Sequence, residues 1–189
     1  MRTPVVAVVG ASQTQPGELD YQDGIRLGRR LAAAGWTVAT GGYGGLMEAV
    51  STGAADVGGR VIGVTAPAVF PARSGANQHV TDERRAATIT ERIHELLTAA
   101  DAVIALPGSL GTFTELIVAW NVAFVAPFSG SDPKPIVAVG PTWGELVPML
   151  ARRLATSGDL VRCVDTVDEA AEFVTERSGF GGTAEVPIG

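Results

Sequence analysis

Ala102-Val103-Ile104-Ala105-Leu106-Pro107-Gly108-Ser109-Leu110-Gly111-Thr112-Phe113-Thr114-Glu115 decides how this chain is read. Its first five residues are apolar and partly β-branched, the pattern of a strand buried on both faces of a parallel sheet. Pro107, Gly108 and Gly111 interrupt the run, and a helical pattern continues to about Val125. Strand, small-residue turn and helix in direct succession make half of a β-α-β unit.

The same alternation extends in both directions. Upstream, Val5–Val9 reads as a buried strand. The segment Leu19–Ala34 reads as a helix, with Ile25, Leu27, Leu31 and Ala32 on one face and Gly35 as its stop. Trp36–Ala39 is the second strand, Leu46–Val57 a helix ended by Gly58-Gly59, and Val61–Thr65 the third strand. Pro67–Gln78 is a loop, and Glu83–Ala100 reads as a helix through Ile89, Ile93, Leu96 and Leu97. Downstream of the fourth strand, Ala102–Leu106, a turn segment at Pro127–Pro135 leads to a fifth strand, Ile136–Val139. Helices follow near Trp143–Thr156 and Val167–Arg177, and the glycine-bearing tail Ser178–Gly189 is expected to be weakly ordered. The expectation is an α/β fold: one Rossmann-like domain over 1–189, a doubly wound parallel sheet with right-handed crossovers.

Bulk properties narrow the function. A chain of 189 residues buries a core without disulfides or metals. A formal net charge of -6 repels nucleic-acid backbones, so a phosphate must be gripped locally, by backbone N–H groups and a few arginines. The single cysteine, Cys163, suits a reducing compartment. No basic-then-apolar leader precedes Val5, and no apolar run approaches the ~18 residues of a membrane span. These features predict a cytoplasmic protein that binds neither nucleic acid nor membrane.

In an open α/β sheet, ligands bind beyond the carboxyl ends of the strands where the strand order reverses. For an order of 3-2-1-4-5, Gly10-Ala11-Ser12 would face Pro107–Thr112 across that crevice. Both loops are small-residue backbone, and the helix beginning near Thr112 adds the positive end of its dipole. A phosphate is the natural occupant. A classical dinucleotide site does not fit: Gly10-Ala11-Ser12-Gln13-Thr14-Gln15 is not G-x-G-x-x-G, and no acidic residue ends the second strand. A G-x-x-x-x-G-K-[ST] loop is also missing from the sequence.

Two readings of Glu115 stand side by side. Thr112-Phe113-Thr114-Glu115 has the spacing of a capping box, which would spend the carboxylate on helix N–H groups. The alternative is a carboxylate facing a ligand. Arg84 and Arg85 fall in the first turn of the predicted Glu83 helix, where a cation opposes the dipole and an anionic partner would relieve it. His79 and His94 lack metal-ligand spacing, and Trp36, Trp120 and Trp143 lie in apolar runs and read as core. Neither a metal nor a cofactor is implied.

Pro107-Gly108-Ser109-Leu110-Gly111-Thr112-Phe113-Thr114-Glu115 resembles the P-G-G-x-G-T-x-x-E signature of the LOG ("lonely guy") phosphoribohydrolases. Gly41-Gly42-Tyr43-Gly44-Gly45-Leu46-Met47 is similar to that family's earlier glycine-rich segment, and Glu83-Arg84-Arg85 to an E-R-K step before its signature strand. The resemblance spans about Val5 to Val125. It implies a homodimeric hydrolase that cleaves a nucleoside 5′-monophosphate, AMP or a cytokinin riboside monophosphate, into base and ribose 5-phosphate. On these motifs Arg84 and Glu115 match the catalytic pair. Substrate contacts fall on Ala11, Ser12, Gly42, Gly44, Gly45, Arg85, Gly108, Ser109, Leu110, Gly111 and Thr112. Ser109 departs from the second glycine of the signature, where its Cβ narrows the approach to a phosphate or its hydroxyl adds a donor. The segment T-G-G-Y-G-G, with Tyr43, resembles a branch that contains molybdenum-cofactor carriers. That branch implies binding of a phosphorylated cofactor without hydrolysis. The old family label of lysine decarboxylase finds no support in the one lysine, Lys134, set between two prolines.

Overall fold

Val5–Val9 forms strand β1, and all five of its side chains are buried in the computed structural model, which describes residues 2–73 and 75–177. Alternation decides which face each residue serves. Val5, Ala7 and Val9 join one apolar cluster with Leu96, Leu116 and Trp143; Val6 and Val8 join the other with Leu27, Leu31 and Val50. A strand sandwiched between two helical layers is therefore apolar at every position, as the sequence pattern predicted.

Six further strands complete the sheet: β2 (Thr37–Thr40), β3 (Val61–Thr65), β4 (Asp82–Arg85), β5 (Ala102–Ala105), β6 (Ile136–Val139) and β7 (Arg162–Val164). Every pairing is parallel, in the order β4-β3-β2-β1-β5-β6-β7. Around it pack α1 (Leu19–Ala33), α2 (Leu46–Ala55), α3 (Ile89–Ala99), α4 (Leu110–Val125), α5 (Pro141–Leu154) and α6 (Val167–Arg177). The five predicted strands keep the predicted order, and their boundaries shift by a residue or two. The order reverses at β1, whose Val9 stands in register with Ala105 of β5. Leu27 and Leu31 of α1 are fully buried, and truncating either to Ala would cost about 2–5 kcal/mol. α1 and α2 approach backbone to backbone, since a Cβ on Gly28 would overlap the Val50 carbonyl and one on Gly53 the Ile25 carbonyl.

Three sequence expectations need correction. The helix predicted from Glu83 starts only at Ile89, because Thr88 and Glu91 close a capping box: Glu91 N–H donates to Thr88 Oγ1 (3.1 Å) and Ala87 N–H to the Glu91 carboxylate (2.8 Å). Arg84 and Arg85 therefore lie on the edge strand β4, in register with Val64 and Thr65, and not in a helical first turn. Second, β4 and β7 widen the sheet at both edges; each is short and polar enough to escape an apolar pattern. Third, the helical stretch Leu110–Ser129 is long and apolar enough to cross a membrane by length and composition alone, with mean hydropathy 1.4. Leu116, Ala119, Trp120 and Ala123 pack that helix into the core, so it serves as a layer of the α/β fold. The predicted tail Ser178–Gly189 lies outside the described residues.

Candidate active site

Beyond the carboxyl ends of β1 and β5 opens a cleft of about 390 Å³, within the size range of small-molecule sites. Gly10 and Ser12 line it from the loop after β1, and Ser109, Gly111 and Thr112 from the first turn of α4. Ala11 holds this crevice in shape: its N–H donates to Pro107 O (3.0 Å) and its carbonyl accepts from Leu46 N–H (2.8 Å). Ser109 occupies the N-cap of α4 without a side-chain capping bond, which leaves its hydroxyl uncommitted to the helix. The N–H groups of Leu110, Gly111 and Thr112 have no intrahelical acceptor by position and carry the positive end of the helix dipole. Backbone donors, a free hydroxyl and small side chains suit an anion.

Glu115 sits one turn further along α4 and lines the same cleft. The capping-box reading fails, because α4 begins at Leu110 and Thr112 is already helical and buried. Its carboxylate instead pairs with Arg92 of α3, Nη1 to Oε1 3.3 Å. Arg92 is fixed by further bonds: Nε donates to Val64 O (2.7 Å) and Nη2 to Gly41 O (3.1 Å). Burial pushes the Glu115 carboxyl above its ordinary value, and the Arg92 charge only partly offsets this. Burial also pulls the Arg92 guanidinium down, against the pull of Glu115. Burial thus makes both charged forms costly, a condition common to groups kept for chemistry.

The predicted site residues divide into two sets. Ser12, Ser109, Gly111, Thr112 and Glu115 come together around the cleft. Ala11, Gly42, Gly44, Gly45, Gly108 and Leu110 do not line it. Several of these shape it from behind. Gly45 (φ +71°) starts α2 where a Cβ would overlap the Ala11 carbonyl, and a Cβ on Gly108 would overlap Thr112. Gly42 (φ +76°) offers its carbonyl to Asn77 N–H (2.7 Å), tying down the 67–78 loop. Leu110 points outward, 77% exposed.

Arg84 and Arg85 are the larger departure. Arg84 lies near the Asp82 carboxylate (3.5 Å) and Arg85 near that of Glu83 (3.3 Å), and both border a separate shallow depression with His94 and Glu95. Sequence reading missed Arg92, Gly41, Met47, Phe70 and Arg73, all of which line the cleft. Arg92 did leave a signal: it falls on the Ile89, Ile93, Leu96 face of its helix, where a charge needs a buried partner. Trp36, Trp120 and Trp143 are core, at most 5% exposed. Lys134 Nζ donates to Leu97 O (3.0 Å) at the end of α3 and is not among the cleft residues.

Comparison with known proteins identifies the family and the fold. Residues 3–125 match the family described as SLOG cluster4. A cytokinin riboside 5′-monophosphate phosphoribohydrolase of Mycobacterium marinum is 31% identical over 181 residues, covering 90% of this chain and 92% of that protein. One of Mycobacterium tuberculosis is 34% identical over 140 residues, covering 74% and 71%. Among solved structures, the molybdenum cofactor binding protein of Rippkaea orientalis superposes with a TM-score of 0.75 at 23% identity, covering 94% of this chain and 99% of that one. That likeness establishes the fold.

Proposed function

Because the chain belongs to the SLOG cluster4 family, we propose that it is a hydrolase of nucleoside 5′-monophosphates, cleaving the N-glycosidic bond of AMP or an N6-substituted AMP. The products are the free base and ribose 5-phosphate. One observation carries this reading: a buried carboxylate, Glu115, lies one helical turn beyond an anion-ready helix N-terminus and faces the same cleft.

The chemistry follows from that spacing. The phosphate rests on the first-turn N–H groups of α4 and the hydroxyls of Ser109 and Ser12. The ribose then extends toward Glu115. Breaking the C1′–N bond builds positive charge on the sugar, and a carboxylate beside C1′ stabilises it. Ionised Glu115 also accepts a proton from the attacking water as its oxygen bonds to C1′. Arg92 holds the carboxylate in place and keeps a counter-charge beside it. Arg92 thus takes the place beside Glu115 that the sequence resemblance gave to Arg84.

The proposed enzyme works in the cytoplasm as a homodimer. An apolar strip on α4 and the turn after it supports the assembly: Val122, Phe124, Val125 and Phe128 are 48%, 40%, 43% and 83% exposed. Incubating the purified protein with AMP and N6-substituted AMP, and following base release by chromatography, tests the activity. Glu115→Gln is expected to lower kcat about 10²–10³-fold. Tight retention of a phosphorylated ligand with no turnover of any monophosphate would overturn the reading in favour of a carrier.

A further inference from the structure

Arg73 is a charged side chain of the cleft to which the chemistry above gives no task. Its guanidinium carbon lies 4.6 Å from the ring centroid of Tyr43 and 4.6 Å from that of Phe70. The two rings meet edge to face, 5.7 Å apart at 79°. Among the described residues, no carboxylate stands within ion-pair distance of it. The cation is held by π faces, and that contact does not consume the five N–H donors in the guanidinium plane.

The holder itself is firm. Tyr43 is buried, with its hydroxyl accepting from Ala66 N–H (2.8 Å). Asn77 Nδ2 donates to the carbonyls of Gly42 (3.2 Å) and Tyr43 (3.0 Å), and Arg73 N–H donates to Phe70 O (2.9 Å). The strand order places this loop. Arg73 follows β3 and the anion-ready turn follows β5, with β2 and β1 between them. Three inter-strand spacings separate β3 from β5, on the order of 14 Å. A nucleotide with its phosphate on α4 and its sugar at Glu115 therefore sends its base toward Phe70 and Arg73. There it meets an aromatic face and a planar fork of donors.

We propose that Arg73 stabilises the departing base, donating a hydrogen bond to a ring nitrogen as the electrons of the C1′–N bond flow onto it. The step balances with water alone: the hydroxyl bonds to C1′, and the proton, taken up first by Glu115, ends on the base. Arg73 transfers no proton; it lowers the cost of negative charge where that charge develops. This inference rests on the hydrolase reading.

Leaving-group dependence tests it. Wild type, Arg73→Ala and Arg73→Lys are assayed on purine riboside 5′-monophosphates whose bases differ in N–H acidity, with nicotinamide mononucleotide as the activated extreme, since its base departs neutral. Arg73→Ala is expected to lower kcat on AMP about 10²–10³-fold, with the loss shrinking steadily as the leaving base becomes more acidic. Arg73→Lys should recover part of the AMP rate. A uniform loss across the series, or a loss confined to KM, would overturn the proposal and make Arg73 a binding or loop-holding residue. Wild type without turnover of any member would instead overturn the hydrolase reading, and the role of Arg73 with it. Thermal melting of each variant, with and without AMP, separates misfolding from these outcomes.

Discussion

Arg92 Nη1 lies 3.3 Å from Glu115 Oε1, and the two side chains are only 8% and 11% exposed. The contact joins α3 to α4 across 23 residues of chain. Removing one partner of a buried pair leaves the other charge uncompensated. Arg92→Ala is therefore expected to cost about 3–5 kcal/mol of stability, read from urea denaturation. Glu115→Gln also leaves the Arg92 charge uncompensated, but it keeps an acceptor for Arg92, whose bonds to the Val64 and Gly41 carbonyls survive. It should therefore cost less while still removing most turnover. Equal destabilisation by both variants would contradict this account of the pair.

Steady-state kinetics tests the two candidate arginines against each other. Arg84 lies on the edge strand, half-buried and near Asp82. Arg84→Ala should change kcat/KM by only about twofold, the scale of surface substitutions. Arg92→Lys keeps the charge but loses the fork that meets Val64, Gly41 and Glu115 together, and should lose at least about 10²-fold. The reverse ranking in a steady-state assay would restore the assignment drawn from the E-R-K resemblance.

Gly41 offers a way to move Arg92 without altering either charge. A Cβ there would overlap the Arg92 guanidinium and press on Met47. Gly41→Ala should cost about 1–3 kcal/mol, the usual penalty of overpacking, and lower kcat by more than that stability loss predicts. Activity at the wild-type level, with Arg92 unmoved in a crystal structure of the variant, would refute the steric argument.

Burial lifts the Glu115 carboxyl above the ordinary glutamate value of about 4.3. In the proposed hydrolysis Glu115 works in its ionised form, so kcat/KM should rise with pH through this raised value, and the acid limb should sit above the ordinary range. Glu115→Gln should lack that limb. Stability runs the other way: the folded chain holds this proton more tightly than the unfolded chain does. The resulting stabilisation is full below about pH 4.3 and declines as pH rises through the folded value. An acid limb at or below the ordinary range would exclude Glu115 as the ionising group.

Phe128 stands 83% exposed beside Phe124, ring centroids 6.3 Å apart. In a homodimer built on this strip, Phe128→Asp should shift the mass measured by light scattering from two chains to one. Because so exposed a side chain adds little to the core, the melting temperature of the monomer should change little. A dimer that survives Phe128→Asp and Val122→Asp together would place the interface elsewhere.

The sequence by itself determined the five inner strands of the sheet and the small-residue turn that starts α4, because both are local. Unbroken apolar runs such as Val5–Val9 have one stable home, between two helical layers, and Pro107–Thr112 shapes a helix start through its own backbone. It also marked Glu115, although the capping-box spacing gave that residue a competing local role. What the tertiary structure decided is which cation meets that carboxylate. Arg84-Arg85 carried the family-like spelling, but Thr88 and Glu91 delay the helix and leave that pair on an edge strand. Arg92 reaches Glu115 only because the sheet brings α3 and α4 to one cleft. A long-range ion pair leaves no periodicity to read, beyond a charged side chain on an otherwise apolar helix face.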